Sequence, residues 1–129
     1  MGKPSGSLMA TGDVNPSRFI TLTAGADHVC SQSTTGDLPI GISQEYAHYA
    51  PYGSNSTLAA SSAQSIAFYG VGEYCLLELG GTVANGDALK PDTSGKGVVG
   101  TVGSDKIGAR ATEAGVSGTL IRVLVQPIG

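Results

Sequence analysis

The sequence predicts an all-β protein, a small β-barrel or sandwich with an extended N-terminal arm, and three observations carry that expectation. Apolar residues alternate with polar or small ones over short runs, so that Cys75, Leu77 and Leu79 share one face of a strand and Tyr74, Leu76 and Glu78 the other. The runs are separated by turn residues such as Asn85-Gly86-Asp87 and Asp92-Thr93-Ser94-Gly95, which accept positive φ at low cost. No stretch carries a helical period beyond a turn or two. Short strands at near-regular spacing between Gly-rich turns favour a barrel or sandwich over alternating strands and helices.

With 129 residues the chain fits one core. The expected division is an arm over residues 1–17 and a single β domain over residues 18–129. Met1 to Ser17 contains Gly2, Pro4, Gly6, Gly12 and Pro16 and shows no strand or helix period. Such an arm is either disordered or ordered only against a partner, where its backbone adds to a sheet edge. Its contact candidates are Lys3, Pro4, Leu8, Met9, Val14 and Pro16.

Arg18 to Ala24 predicts the first strand, with Ile20 and Leu22 on one face and Phe19, Thr21 and Thr23 on the other. His28 to Gln32 predicts a short second strand. In Leu38-Pro39-Ile40-Gly41-Ile42 the proline points to an edge strand or a strand start. From Gln44 to Gln64 the alternation fails. Tyr46, Tyr49 and Tyr52 surround His48 and Pro51, and a Ser/Ala/Asn tract follows. Rigid amphipathic rings on a loop suit either a contact surface or a lid packed over the sheet.

Ile66 to Tyr69 predicts one further strand. The stretch from Glu73 to Val102 then reads strand, turn, strand, turn, strand and organises the rest of the chain. Ile107 to Ala111 follows. The last strand, Thr119 to Gln126, is apolar enough on both faces to suggest a central position, with Pro127 ending it.

Composition narrows the function. Charged residues make up 13% of the chain, against roughly 25% in an ordinary domain. Gly, Ser, Thr and Ala replace them, which gives a neutral surface with little repulsion against being covered by a partner or by copies of itself. The seven basic residues are scattered and the net charge is -3, which argues against nucleic acid. No apolar segment is long enough to span a bilayer, and no secretory h-region follows Met1, so a soluble protein made in the cytoplasm is expected. Cys30 and Cys75 stand apart without a metal-ligand pattern and are expected as reduced, partly buried thiols.

No constellation for chemistry emerges. Gly70-Val71-Gly72 opens no helix and so offers no pyrophosphate site. Ser94-Gly95-Lys96-Gly97 lacks the leading glycine and the magnesium-holding Ser or Thr of a phosphate loop, and reads as a hairpin turn. His28 and His48 have no acidic orienter or nucleophile motif. Asp87, Asp92 and Asp105 sit on turns at spacings that match no calcium loop. The protein is therefore expected to be no enzyme, with no cofactor and no metal.

Three pieces, taken in order, carry a resemblance. They are Leu38-Pro39-Ile40-Gly41-Ile42; the run Cys75 to Leu79 leading to Val83-Ala84-Asn85-Gly86-Asp87-Ala88-Leu89-Lys90; and Ile107-Gly108-Ala109-Arg110-Ala111 with Gly118-Thr119-Leu120-Ile121-Arg122-Val123. Together, over residues 18–126, they resemble the capsid cement or head-decoration proteins of tailed bacteriophages. The resemblance implies a compact, β-tulip-like domain that binds the major capsid protein on the outer surface of the assembled head, usually as a homotrimer, and stabilises it. It implies a location on the virion, an arm ordered by the shell, and no catalysis. The alternative is a β module of a tail or baseplate that binds a host glycan through Tyr46, Tyr49 and Tyr52.

Overall fold

The structure is a computed structural model that describes residues 8–12, 14–23, 28–44, 65–66 and 68–128. It is all β: the described residues contain eleven strands and no helix. In chain order these are β1 (Leu8–Ala10), β2 (Phe19–Leu22), β3 (Val29–Gln32), β4 (Gly41–Ser43), β5 (Ser65–Ile66), β6 (Phe68–Tyr69), β7 (Tyr74–Glu78), β8 (Ala88–Pro91), β9 (Gly97–Val99), β10 (Ile107–Ala111) and β11 (Leu120–Ile128).

Two sheets form, in the orders β5-β1-β3-β2-β4-β6 and β7-β11-β10-β8-β9. Every pairing between named strands is antiparallel except β1 with β3. The edges of the first sheet are β5 and β6, which only Ala67 separates in sequence. Two Cα steps reach at most about 7.6 Å, so this sheet must curl until its edges meet. Ala10, Val14, Ile20, Cys30 and Ile66 fill its inside, with Leu8, Ile40 and Phe68 against them.

The second sheet curls as well. Leu79 bridges Gly97, and the Gly80 N–H donates to the Gly97 carbonyl at 2.9 Å, which draws the end of β7 onto β9. Its concave face carries Leu77, Leu79, Leu89, Ile121, Val123 and Val125. Phe19 and Ile42 of the first sheet enter the same cluster. Phe19 and Ile20 are adjacent on β2 and therefore point to opposite faces. Each is buried, one in each core.

A polar seam joins the sheets beside Phe19. The Arg18 guanidinium donates to Glu78 at 3.1 Å and to the Ser94 carbonyl at 2.9 Å, while Lys96 lies 3.4 Å from the other Glu78 oxygen. The Phe19 N–H donates to the Gly95 carbonyl at 2.9 Å. Gly95 has φ +76, and a methyl group there would sit 2.9 Å from Gln32 Cγ, so only glycine lets the β8–β9 hairpin turn lie this close.

One turn design recurs before the strands. In 34–37, 70–73 and 84–87 the last residue is Asp37, Glu73 or Asp87, and its carboxylate accepts the N–H of the first residue. Its own N–H donates back to that residue's carbonyl. The third residue is Gly36, Gly72 or Gly86 at positive φ. In 116–119 the Thr119 hydroxyl oxygen takes the carboxylate's place.

Several expectations are corrected. Residues 8–17 are not an arm outside the core: Leu8–Ala10 pairs with β3 and β5, and Ala10 and Val14 are buried. Three residues suffice there because both flanking strands are supplied from elsewhere in the chain. The strand expected at Ile66 to Tyr69 has a neighbour at each end, since β5 pairs with β1 and β6 with β4. Pro127 does not stop the last strand, which continues to Ile128, where the register against β10 shifts and a missing N–H is tolerated. That strand is interior, as expected, yet its second face is open: Leu120 and Arg122 are exposed.

Candidate docking surface

The described residues leave little for chemistry. No group of three or more His, Cys, Asp or Glu among them could hold a metal ion. Cys30 and Cys75 are both buried and form no disulfide, and burial pushes the Cys30 thiol up from its ordinary pKa. His28 is exposed at φ 60 on a turn. Asp87 accepts the Ala84 N–H, Asp92 accepts those of Ser94 and Lys96, and Asp105 accepts that of Thr101. These carboxylates are spent on closing turns, which is the ordinary use of Asp in such places.

Surfaces remain. Of the contact candidates read from the sequence, Lys3, Pro4, Tyr46, Tyr49 and Tyr52 lie outside the described residues, as does His48. Met9 is exposed at 45%. Val14 is fully buried, so its side chain serves the core and cannot touch a partner. Leu8 packs against the same cluster, and Pro16 is half-buried.

The outer face of the second sheet also exposes apolar side chains. Side chains that do not enter the core alternate outward along β7 and β11, where cross-strand register pairs Tyr74 with Leu124, Leu76 with Arg122 and Glu78 with Leu120. Tyr74 is 62% exposed and Leu120 50%, while Leu76 and Leu124 are half-buried. Val71, on the turn leading into β7, is also exposed. On β10 Arg110 stands opposite Leu124, its guanidinium donating to Gln126 and to the Gly86 carbonyl. An apolar stripe thus crosses two strands, with Arg122 set into it between Leu120 and Leu124 and Arg110 beside it on β10. Sequence alternation does put Tyr74, Leu76 and Glu78 on a common face. It carries no signal that this face, rather than the one bearing Cys75, is left uncovered.

Comparison with known proteins bears on the fold. No family model matches the chain, and no curated protein matches it. Among solved structures, the chain is similar to the N base of head fiber gp8.5 in bacteriophage phi29, with a TM-score of 0.69 and 15% sequence identity. The match covers 94% of this chain and 92% of that one. The two chains share a fold nearly end to end at an identity where residue-by-residue transfer carries nothing.

Proposed function

We propose that this protein is a capsid decoration protein of a tailed phage. It docks on the outer surface of the assembled head through the major capsid protein, acts as a homotrimer, and stabilises the shell without catalysing a reaction. The observation that most supports this reading is the fold shared over nearly the whole of both chains with the base of a phage head fiber. Scarce charge supports it too, because 13% charged residues leave shape fit and backbone pairing, rather than ion pairs, to supply specificity.

A chain of this size suits an interface near the standard ~800 Å² per partner, so strength comes from number. A trimer touching several shell subunits gains avidity through effective concentration. Since the bound form exists only on the particle, binding raises the particle's melting temperature by mass action until the sites fill. The test heats heads with and without added protein at low and at ~1 M salt. Stabilisation that saturates and falls only modestly in salt is expected. No stabilisation at either salt, or complete release by salt alone, sinks the proposal.

A further inference from the structure

Sheet edges expose unpaired backbone groups, and this chain closes most of its own. The first sheet joins its two edges through one residue, and Leu79 and Gly80 cover β9 at Gly97. The outer edge of β7 is treated differently. Val125 N–H donates to the Glu73 carbonyl and Leu79 N–H to the Thr119 carbonyl. With antiparallel alternation these bonds direct the backbone groups of Cys75 and Leu77 toward β11 and those of Tyr74, Leu76 and Glu78 away from it. The Glu78 N–H is taken by the Ser17 carbonyl at 3.0 Å. The N–H and C=O groups of Tyr74 and Leu76 have no partner among the described residues. Neither a proline nor a lysine guards this edge, the usual devices against strand addition.

Charge singles out what fits there. Among the described cations, Arg18, Lys90 and Lys96 pair with carboxylates. The Arg122 guanidinium, like the Lys106 ammonium, has no partner among the described residues; Glu113 accepts the Arg122 backbone N–H at 2.8 Å. Arg122 lies across from Leu76, so a strand added beside β7 would run two strand spacings from it, about 9.6 Å. Two long side chains meet over that gap. Two carboxylates flank this edge: Glu78 is already offset by Arg18 and Lys96, and Glu73 accepts the Gly70 N–H.

We infer that β7 is a docking edge for an extended segment of a partner protein that adds as a strand along Tyr74–Leu76 and lays a carboxylate over Leu76 onto Arg122. That the partner is the shell protein rests on the function proposed above; the edge itself does not.

The probes are a short synthetic peptide of alternating Val and Glu and its counterpart with Lys for Glu, added to the full chain at ~1 mM. The Glu peptide is expected to slow hydrogen exchange of the Tyr74 and Leu76 amides by about tenfold or more, the Lys peptide far less. Arg122→Glu should exchange the two preferences, and Arg122→Gln should abolish the difference. No protection of these two amides by either peptide, or equal protection by both, overturns the inference. Heads heated with the wild-type chain separate the two proposals. Peptide protection without particle stabilisation leaves the edge standing and removes the decoration role. Particle stabilisation without peptide protection does the reverse.

Discussion

Arg18 and Glu78 face each other across the seam between the sheets at 3.1 Å, with only 13% and 26% of their side chains exposed. Arg18 directly precedes β2 and Glu78 ends β7, so this contact fixes how the first sheet's Phe19 enters the second sheet's core. The same guanidinium donates to the Ser94 carbonyl, which the Gln32 amide also reaches. Arg18→Ala is expected to cost about 1–3 kcal/mol, because it removes charged hydrogen bonds that are partly shielded from water. Glu78→Gln keeps an acceptor for Arg18 and should cost less. Urea midpoints of the two variants check the order, and a larger loss for Glu78→Gln would mean that the Lys96 contact dominates.

Gly108 tests the same packing sterically. A methyl group there would lie 2.6 Å from Phe19 Cε1 and 2.7 Å from Pro39 Cγ. Both belong to fully buried side chains and cannot swing away. Gly108→Ala should destabilise by about 1–3 kcal/mol, the usual range for overpacking. At Gly118 nothing lies within 4 Å but φ is +88, so Gly118→Ala should cost about 1–2 kcal/mol through backbone strain alone. Thermal unfolding of the pair separates crowding from strain: a second substitution, Phe19→Leu, should relieve the first variant and not the second.

Asp105 links one turn to pH. Its carboxyl is held below the ordinary carboxylate value, first by the Thr101 N–H at 2.9 Å, with desolvation opposing and Lys90 at 3.4 Å assisting. The unfolded chain therefore binds this proton more readily than the folded one. Its stabilising contribution is complete above the unfolded carboxylate pKa of ~3.9 and is lost as pH falls through the lower folded value. Asp105→Asn should flatten part of the acid limb of the stability curve. Urea midpoints measured from about pH 5 to pH 2 read this directly, and an unchanged limb would mean that the turn opens without the carboxylate.

The sequence carried face assignments better than partner assignments, and the reason is physical. Alternation placed Cys75, Leu77 and Leu79 on one face of a strand, and all three are buried. The Gly-Asp turn at Gly86-Asp87 and the strand from Ile107 to Ala111 also follow from local chemistry. Yet period two says which way a side chain points and nothing about which strand lies alongside. β7 pairs with β11, some forty residues on by sequence count, rather than with the nearer β8. That pairing decides where the open edge and the apolar outer face fall. The neighbours of Ile66 to Tyr69 are equally hidden, because only the folded chain brings β1 beside β5 and β4 beside β6.

The N-terminal strand gives the most direct test of what local reading missed. Leu8-Met9-Ala10 sits among glycines, a serine and a threonine, and three residues make no detectable period. Its stabilisation is non-local. β1 bonds β3 on one side and β5 on the other, the Asn15 N–H and side-chain amide both donate to Gln32, and the Ser43 hydroxyl donates to the Asn15 carbonyl. Val14 adds a fully buried side chain to the inside of the first sheet. Val14→Ala should therefore cost about 2 kcal/mol, the worth of a buried branched side chain. Met9→Ala, at an exposed position on the same segment, should stay within about 0.5 kcal/mol. A chain beginning at Arg18 would lack β1 altogether, leave one edge each of β3 and β5 unpaired, and open the curled sheet, so loss of cooperative unfolding is expected. Circular dichroism melts of the three proteins decide. If the chain beginning at Arg18 melts like the full one, residues 8–17 are dispensable to the core and the packing of Ala10 and Val14 contributes nothing to stability.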